Sequence, residues 1–132
     1  MPSIRNSLFA ETIKGISDVL REKGFQLMIA DSGHSLADEE RLISAFLSQR
    51  VAGLARHNTS HTRQAVQMIR HAGVPVVENG NLTAQPLDSV VSYSNFDASR
   101  AMTLHLSRLG YRAIAFVSLP VAENDRARER AR

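Results

Sequence analysis

The 132-residue chain has no cysteine, so disulfides, thiolate catalysis and Cys-based zinc sites are excluded. It has no apolar run near the roughly 20 residues a membrane-spanning helix needs. No apolar segment of the signal-peptide kind follows Met1-Pro2-Ser3-Ile4-Arg5. A cytoplasmic protein without a membrane partner is the expectation. Nor do any of the seven glycines (15, 24, 33, 53, 73, 80, 110) lie two apart, so G-x-G-x-x-G is absent. The G-K-S/T phosphate loop and the G-x-S-x-G nucleophile elbow are missing too. These absences weigh against nucleotide-dependent and hydrolytic chemistry. No catalytic residue, cofactor or metal is expected.

A charge excess is also missing where a nucleic-acid interface would need it. The net charge is +3, yet residues 1–125 carry 12 basic and 12 acidic side chains. The surplus comes from Arg126, Arg128, Arg130 and Arg132 against Glu129. A DNA-binding face clusters Lys and Arg on a folded surface. This chain by itself is not expected to touch DNA.

What is present is a strand–helix alternation. Leu8, Phe9, Ile13, Ile16 and Leu20 recur at helical spacing behind a cap at Asn6-Ser7, and Gly24 closes the helix. FQLMIA (25–30) reads as a buried strand. Ser35 with Asp38-Glu39-Glu40 opens a second helix, whose core face is Leu42, Ile43, Phe46 and Leu47. A strand over 51–55 leads through the loop His57-Asn58-Thr59-Ser60 to a helix ending at Gly73. Strands are predicted over 74–78, 88–93 and 113–118. Between the last two lies a helix capped by Asn95, with Ala98, Ala101, Met102, His105 and Leu109 on its apolar face. A last helix begins near Glu123. This order predicts an α/β fold, a doubly wound parallel sheet with helices on both faces. Sites in such sheets lie at the carboxyl ends of the strands.

Several side chains there carry two readings. His57 and His61 flank a loop rather than share a helical face, and no third metal ligand accompanies them, so solvated loop histidines are expected. His105, on the apolar face of its helix, is expected to be semi-buried and hydrogen-bonded. Glu78 ends a buried strand, where a carboxylate is costly unless paired. It is either a salt-bridge partner for a neighbouring Arg or an acceptor for a ligand hydroxyl. Arg126 and Arg128 are either a solvated helix face or a carboxylate clamp. Phe9 belongs to the core or to a pocket wall.

Taken together, PSIRNSLFAETIKGISDVLREKGFQLMIADSG, RVAGLARHNTSHT, AGVPVVE and VVSYSNFDASRAMTLHLSRLGYRAIAFVS resemble the lac repressor (LacI) family of bacterial transcription regulators. The order and spacing of these segments carry the resemblance, which covers essentially the whole chain. It implies a periplasmic-binding-protein-like effector domain, two doubly wound subdomains with ligand in the cleft between them. Residues 1–132 would be the N-terminal effector-binding subdomain. The first strand before Pro2-Ser3, the helix-turn-helix, the hinge helix and most of the second subdomain would lie outside it. The resemblance further implies a homodimer of the full-length protein and operator binding only through that helix-turn-helix.

By the same resemblance Ser3, Asn6 and Ser7, with Phe9 beside them, line the effector cleft. Glu78 faces the ligand, and Arg128, with Arg126 as runner-up, grips it. Ala52 stands where the family has an aspartate, Arg56 where an apolar residue is usual, and Ser94 where Asp is common. HNTSHT, VPVVENGNL and SYSN lean toward gluconate-utilisation repressors, so the expected effector is a sugar or sugar acid. Two other classes share the architecture. A small α/β enzyme is disfavoured by the missing chemical signatures, and a periplasmic-type sugar-binding protein of a transporter by the missing signal peptide.

Overall fold

The computed structural model describes residues 7–33, 35–122 and 124–132; the expected cleft residues Ser3 and Asn6 lie outside them. A 3-10 turn at Ser7–Phe9 leads into α1 (Ala10–Glu22). Of the Asn6-Ser7 start expected for this helix, Asn6 lies outside the described residues and Ser7 opens the 3-10 turn. Phe9 occupies the cap position with no side-chain cap bond, and Glu11 in the first turn meets the dipole instead. The remaining helices start on side chains that answer orphan N–H groups. Ser35 accepts from Asp38 N to begin α2 (Leu36–Ser48), and Thr62 accepts from Ala65 N to begin α3 (Arg63–Ala72). Gly73 ends α3 at φ 65°, a left-handed conformation that favours glycine. For α4 (Asn95–Arg108) the cap is Ser94 rather than Asn95, one residue earlier than expected. That shift frees the Asn95 amide for other work. Asn124 caps α5 (Asp125–Arg130).

Three short parallel strands form the sheet: β1 (Leu54–Arg56), β2 (Val76–Glu78) and β3 (Ser89–Val90), in the order β1-β2-β3. The register pairs Leu54 with Val76 and Arg56 with Glu78. Strand alternation sends Leu54, Arg56, Val76 and Glu78 to the covered face and leaves Ala55 and Val77 exposed on the other. On the covered face Ile43 of α2 and Ala65 and Ile69 of α3 pack with Leu54 and Val76 as the core. The parallel α/β architecture is as expected.

Three expectations are corrected. Segments 25–30 and 113–118 join no ladder among the described residues, and most of their apolar side chains are exposed, Val117 at 92%. A strand is defined by its partner, and segment 113–118 pairs with no strand among the described residues. The supposed core face of α4 is exposed as well: Met102, His105 and Leu109 all face outward. Helix α4 packs on α5, where Ser99 Oγ donates to the Arg130 carbonyl at 2.6 Å. Among the described residues no helix is long and apolar enough to cross a membrane.

Ile69 and Met102 therefore differ sharply in what truncation removes. Ile69→Ala should cost about 2–5 kcal/mol in urea unfolding through transfer and cavity terms. Met102→Ala should stay within about 0.5 kcal/mol, as exposed substitutions do.

Candidate functional site

At the carboxyl ends of β1 and β2 the chain enters two loops, 57–62 and 79–88. His57, the first residue beyond β1, is half-buried. Its Nδ1 is hydrogen-bonded to Asn79 Oδ1. Because that oxygen only accepts, Nδ1 carries the ring proton and Nε2 presents a lone pair. The Phe9 ring meets the imidazole edge-on, with centroids 4.4 Å apart and planes at 75°. Gly80, at φ 89°, completes the enclosure: a Cβ there would lie 2.9 Å from His57 Nε2. The sequence suggests a solvated ring; the structure shows one held from three sides.

Below His57, Glu78 is 1% exposed. Its Oε2 accepts from Leu87 N at 2.9 Å, and its Oε1 is bonded to His61 Nε2. His61 is also no solvated residue, its side chain being 7% exposed. The neighbouring Arg did not become Glu78's salt-bridge partner. Arg56, 4% exposed, turns to Glu39 of α2, with Nε donating to Oε1 at 3.2 Å. Its Nη2 lies 2.7 Å from the same oxygen, an ion-pair contact without hydrogen-bond alignment.

Helix α5 closes over the same loops. Asp125 Oδ2 accepts from Thr59 N at 3.1 Å and from Thr59 Oγ1 at 2.6 Å. Arg126 is buried and donates from Nη1 to the His57 carbonyl at 2.7 Å. Exposed Arg128 reaches Ser60 Oγ and the carbonyls of Val121 and Ala122, each at 3.4 Å. Arg130 Nε donates to Asn95 Oδ1 at 2.8 Å. Asn95, fully buried, donates in turn to the Gly80 carbonyl at 2.8 Å and Asn81 Oδ1 at 3.0 Å.

Of the expected site residues, Phe9, Arg126 and Arg128 converge on loop 57–62. Glu78 lies buried beneath it, and Ser7 sits exposed at the start of the 3-10 turn. His57, Thr59, Asn79, Asn95 and Asp125 were not read as site residues. Only the fold brings them together, although polar residues just beyond two strand ends were the available signal. Among the described residues no group of three His, Cys, Asp or Glu is placed to hold a metal ion.

Burial sets the electrostatics here. His57 is pushed down to about 4 by desolvation and then by the Arg126 charge. His61 is lowered by desolvation and then by Arg56. Burial works to raise Asp125, but its bonds from Thr59 and the Arg126 charge hold its carboxyl below the usual range. Both histidines fold as neutral rings while the unfolded chain protonates them near 6.5. Between that value and the lowered ones the unfolded state binds more protons, so stability falls with falling pH. The urea midpoint should thus drop from about pH 6.5 to about pH 4, and His57→Asn should flatten the lower part of that slope. Gly80→Ala should lose about 1–2 kcal/mol from the left-handed backbone alone, plus the cost of moving the His57 ring. Thermal unfolding checks both.

The comparisons with known proteins agree with this geometry. Residues 1–132 match the family described as periplasmic binding proteins and the sugar-binding domain of the LacI family. The HTH-type transcriptional regulator GntR of Escherichia coli strain K12 is 35% identical over 123 residues, covering 93% of this chain and 37% of the relative. GntR of Pseudomonas aeruginosa is 32% identical over 117 residues, covering 89% and 34%. The crystal structure of GntR from Chromobacterium violaceum superposes with a TM-score of 0.90 at 31% identity, over 99% of this chain and 47% of that one. A LacI family regulator from Silicibacter pomeroyi gives 0.91 at 30% identity, over 98% and 48%. The chain thus spans little more than a third of the length of these curated relatives. A polar, helix-closed edge at the carboxyl ends of a parallel sheet, in a chain matched from end to end, means that this protein belongs to the family of periplasmic binding proteins and LacI-type sugar-binding domains.

Proposed function

We propose that the chain is the effector-binding part of a cytoplasmic LacI-type transcriptional regulator, and that its effector is a sugar acid of the gluconate class. The observation that carries this reading is the match to regulators named GntR in two organisms over about nine-tenths of the chain, together with an arginine-closed polar edge. It acts by binding and catalyses no reaction. In this reading DNA contact and homodimer pairing belong to the whole regulator. The balanced charge of residues 1–125 supports placing operator contact elsewhere.

The effector would lie against loop 57–62. Phe9 offers an apolar wall, and His57 Nε2 an acceptor for a hydroxyl. Ser7 offers a hydroxyl at the start of the 3-10 turn, and Ser3 and Asn6 keep the effector-binding role that the family resemblance implies. Glu78 serves from the floor, since both its oxygens are engaged. Arg128 is the carboxylate grip, because its three contacts all lie at the long end of hydrogen bonding and none is to a carboxylate. Arg126, tied to the His57 carbonyl, shapes the loop that the effector meets.

Titration calorimetry of the full-length protein with gluconate, and with glucose as the neutral control, tests the reading. Gluconate should bind and glucose should bind far more weakly. Arg128→Ala should lose about 1.5–3 kcal/mol of gluconate binding, the range for hydrogen bonds to a charged group, with little change in melting temperature. Arg126→Ala should lower both affinity and melting temperature. Equal binding of the two sugars would remove the anionic part of the reading.

A further inference from the structure

Loop 57–62 is clipped at the end of β2 to two consecutive residues, Glu78 and Asn79. His57 bonds Asn79, and His61 bonds Glu78. Asn79 N also donates to the Arg56 carbonyl at 2.7 Å, which ties the root of the loop to the same strand end. Between the two clips the loop presents Thr59 and Ser60 to α5. Whatever fixes His61 therefore fixes the surface that Phe9, Arg126 and Arg128 address.

Either charge state of His61 can donate from Nε2, so its protonation state acts on the clip through the other ring nitrogen. With Glu78 accepting, Nε2 carries the proton of a neutral ring and Nδ1 carries a lone pair. Nδ1 is buried and has no hydrogen-bond partner. A second proton would place an N–H donor in that buried position with nothing to accept it, which carries the full desolvation cost of the group. The charges facing the ring are mixed. Arg56 of β1, itself with Nη1 buried and unpartnered, opposes protonation. Glu78 of β2 and Glu39 of α2 favour it, while Glu40 of α2 is engaged by Thr62 Oγ1 beside the ring. Burial and Arg56 prevail, in accord with the lowered titration of His61. Arg56 thus has a role that an apolar residue at its position could not fill: it opposes a proton on the neighbouring imidazole.

We propose that His61 is a proton-sensitive positioning residue of the effector site, which when neutral clips loop 57–62 to Glu78 and when protonated releases the loop and weakens effector binding. This rests on the effector reading above. Gluconate affinity of the full-length protein, measured from about pH 8 to about pH 5, should fall toward tenfold per pH unit once the ring titrates, the limit for one linked proton. His61→Gln keeps an amide N–H for Glu78 and cannot titrate. It should bind within about threefold of the parent at about pH 8, because a neutral donor is preserved, and lose the acid dependence. His61→Ala should bind weakly at every pH. An acid dependence that survives in His61→Gln, or an unchanged affinity in His61→Ala, overturns the proposal.

A ligand-free readout separates this proposal from the effector reading. In the parent protein, imidazole ¹⁵N shifts should show His61 as the Nε2–H tautomer with Nδ1 unprotonated. Its titration should move the amides of residues 57–62 and Leu87 together, and Arg56→Lys should leave this pattern in place. A ring protonated at neutral pH, or a titration that leaves those amides still, overturns the proposal whether or not gluconate binds. Absence of gluconate binding with the coupled titration intact removes only the choice of effector.

Discussion

A carboxylate at the end of a buried parallel strand has to be answered from several directions, and the carboxyl edge of this sheet is organised around that demand. Glu78 receives a backbone N–H from Leu87 and the imidazole of His61, one from each flanking loop. Its backbone carbonyl takes Val91 N at 2.9 Å and so extends the pairing of β2 with β3. Removing either side-chain partner would leave part of a buried charge unsatisfied, which costs far more than the net worth of the bond. Two loops that need not meet are therefore held to one strand end.

The arginines show a second consequence of the same economy of charge. Arg56 sits in register with Glu78 yet pairs with Glu39. Its cation is neutralised from α2, while its field still lowers the titration of His61. Arg126 and Arg130 likewise spend their donors inside the protein, on the His57 carbonyl and the Asn95 amide. Through Asn95 the grip of α5 passes to Gly80 and Asn81. Loop 57–62, loop 79–88 and α5 consequently form one hydrogen-bonded unit above the β1–β2 edge.

How much of this could be read from the sequence depended on the range of the interaction. Helices α2 and α3 were legible because the Ser35 cap of α2 and the apolar spacing of both are local features. Gly73 was equally legible as a C-terminal stop. Segments 25–30 and 113–118 have strand composition, but pairing is non-local, and neither joins the ladder formed among the described residues. The apolar face of α4 misled for a related reason, since periodicity tells which residues share a face and not what covers it. The histidines were the largest loss. Their four-residue spacing straddles a loop, so it carried no helical or metal signal. Their roles emerge only once the register places Asn79 and Glu78 at the edge where loop 57–62 begins. The family resemblance pointed to Phe9, Glu78, Arg126 and Arg128, which the fold gathers about this edge, but not to the closing of Glu78 by the loop.

In the effector reading proposed above, charge balance at the edge bears on the kind of effector it would suit. Asp125 offsets Arg126, Glu39 offsets Arg56, and Glu129 pairs with Arg132 at 2.8 Å. Both histidines remain neutral near pH 7 because burial works against their cations. Arg128 is left with two carbonyls and one hydroxyl at 3.4 Å, partners that solvate a guanidinium without neutralising it. A neutral sugar would replace those weak contacts with others of the same kind. A carboxylate would add charge-assisted, two-pronged bonds that no group already at the edge supplies to Arg128. In the proposed reading, the exposed Arg128, met by no carboxylate, favours an acid over the corresponding sugar more than the hydroxyl-rich loops do.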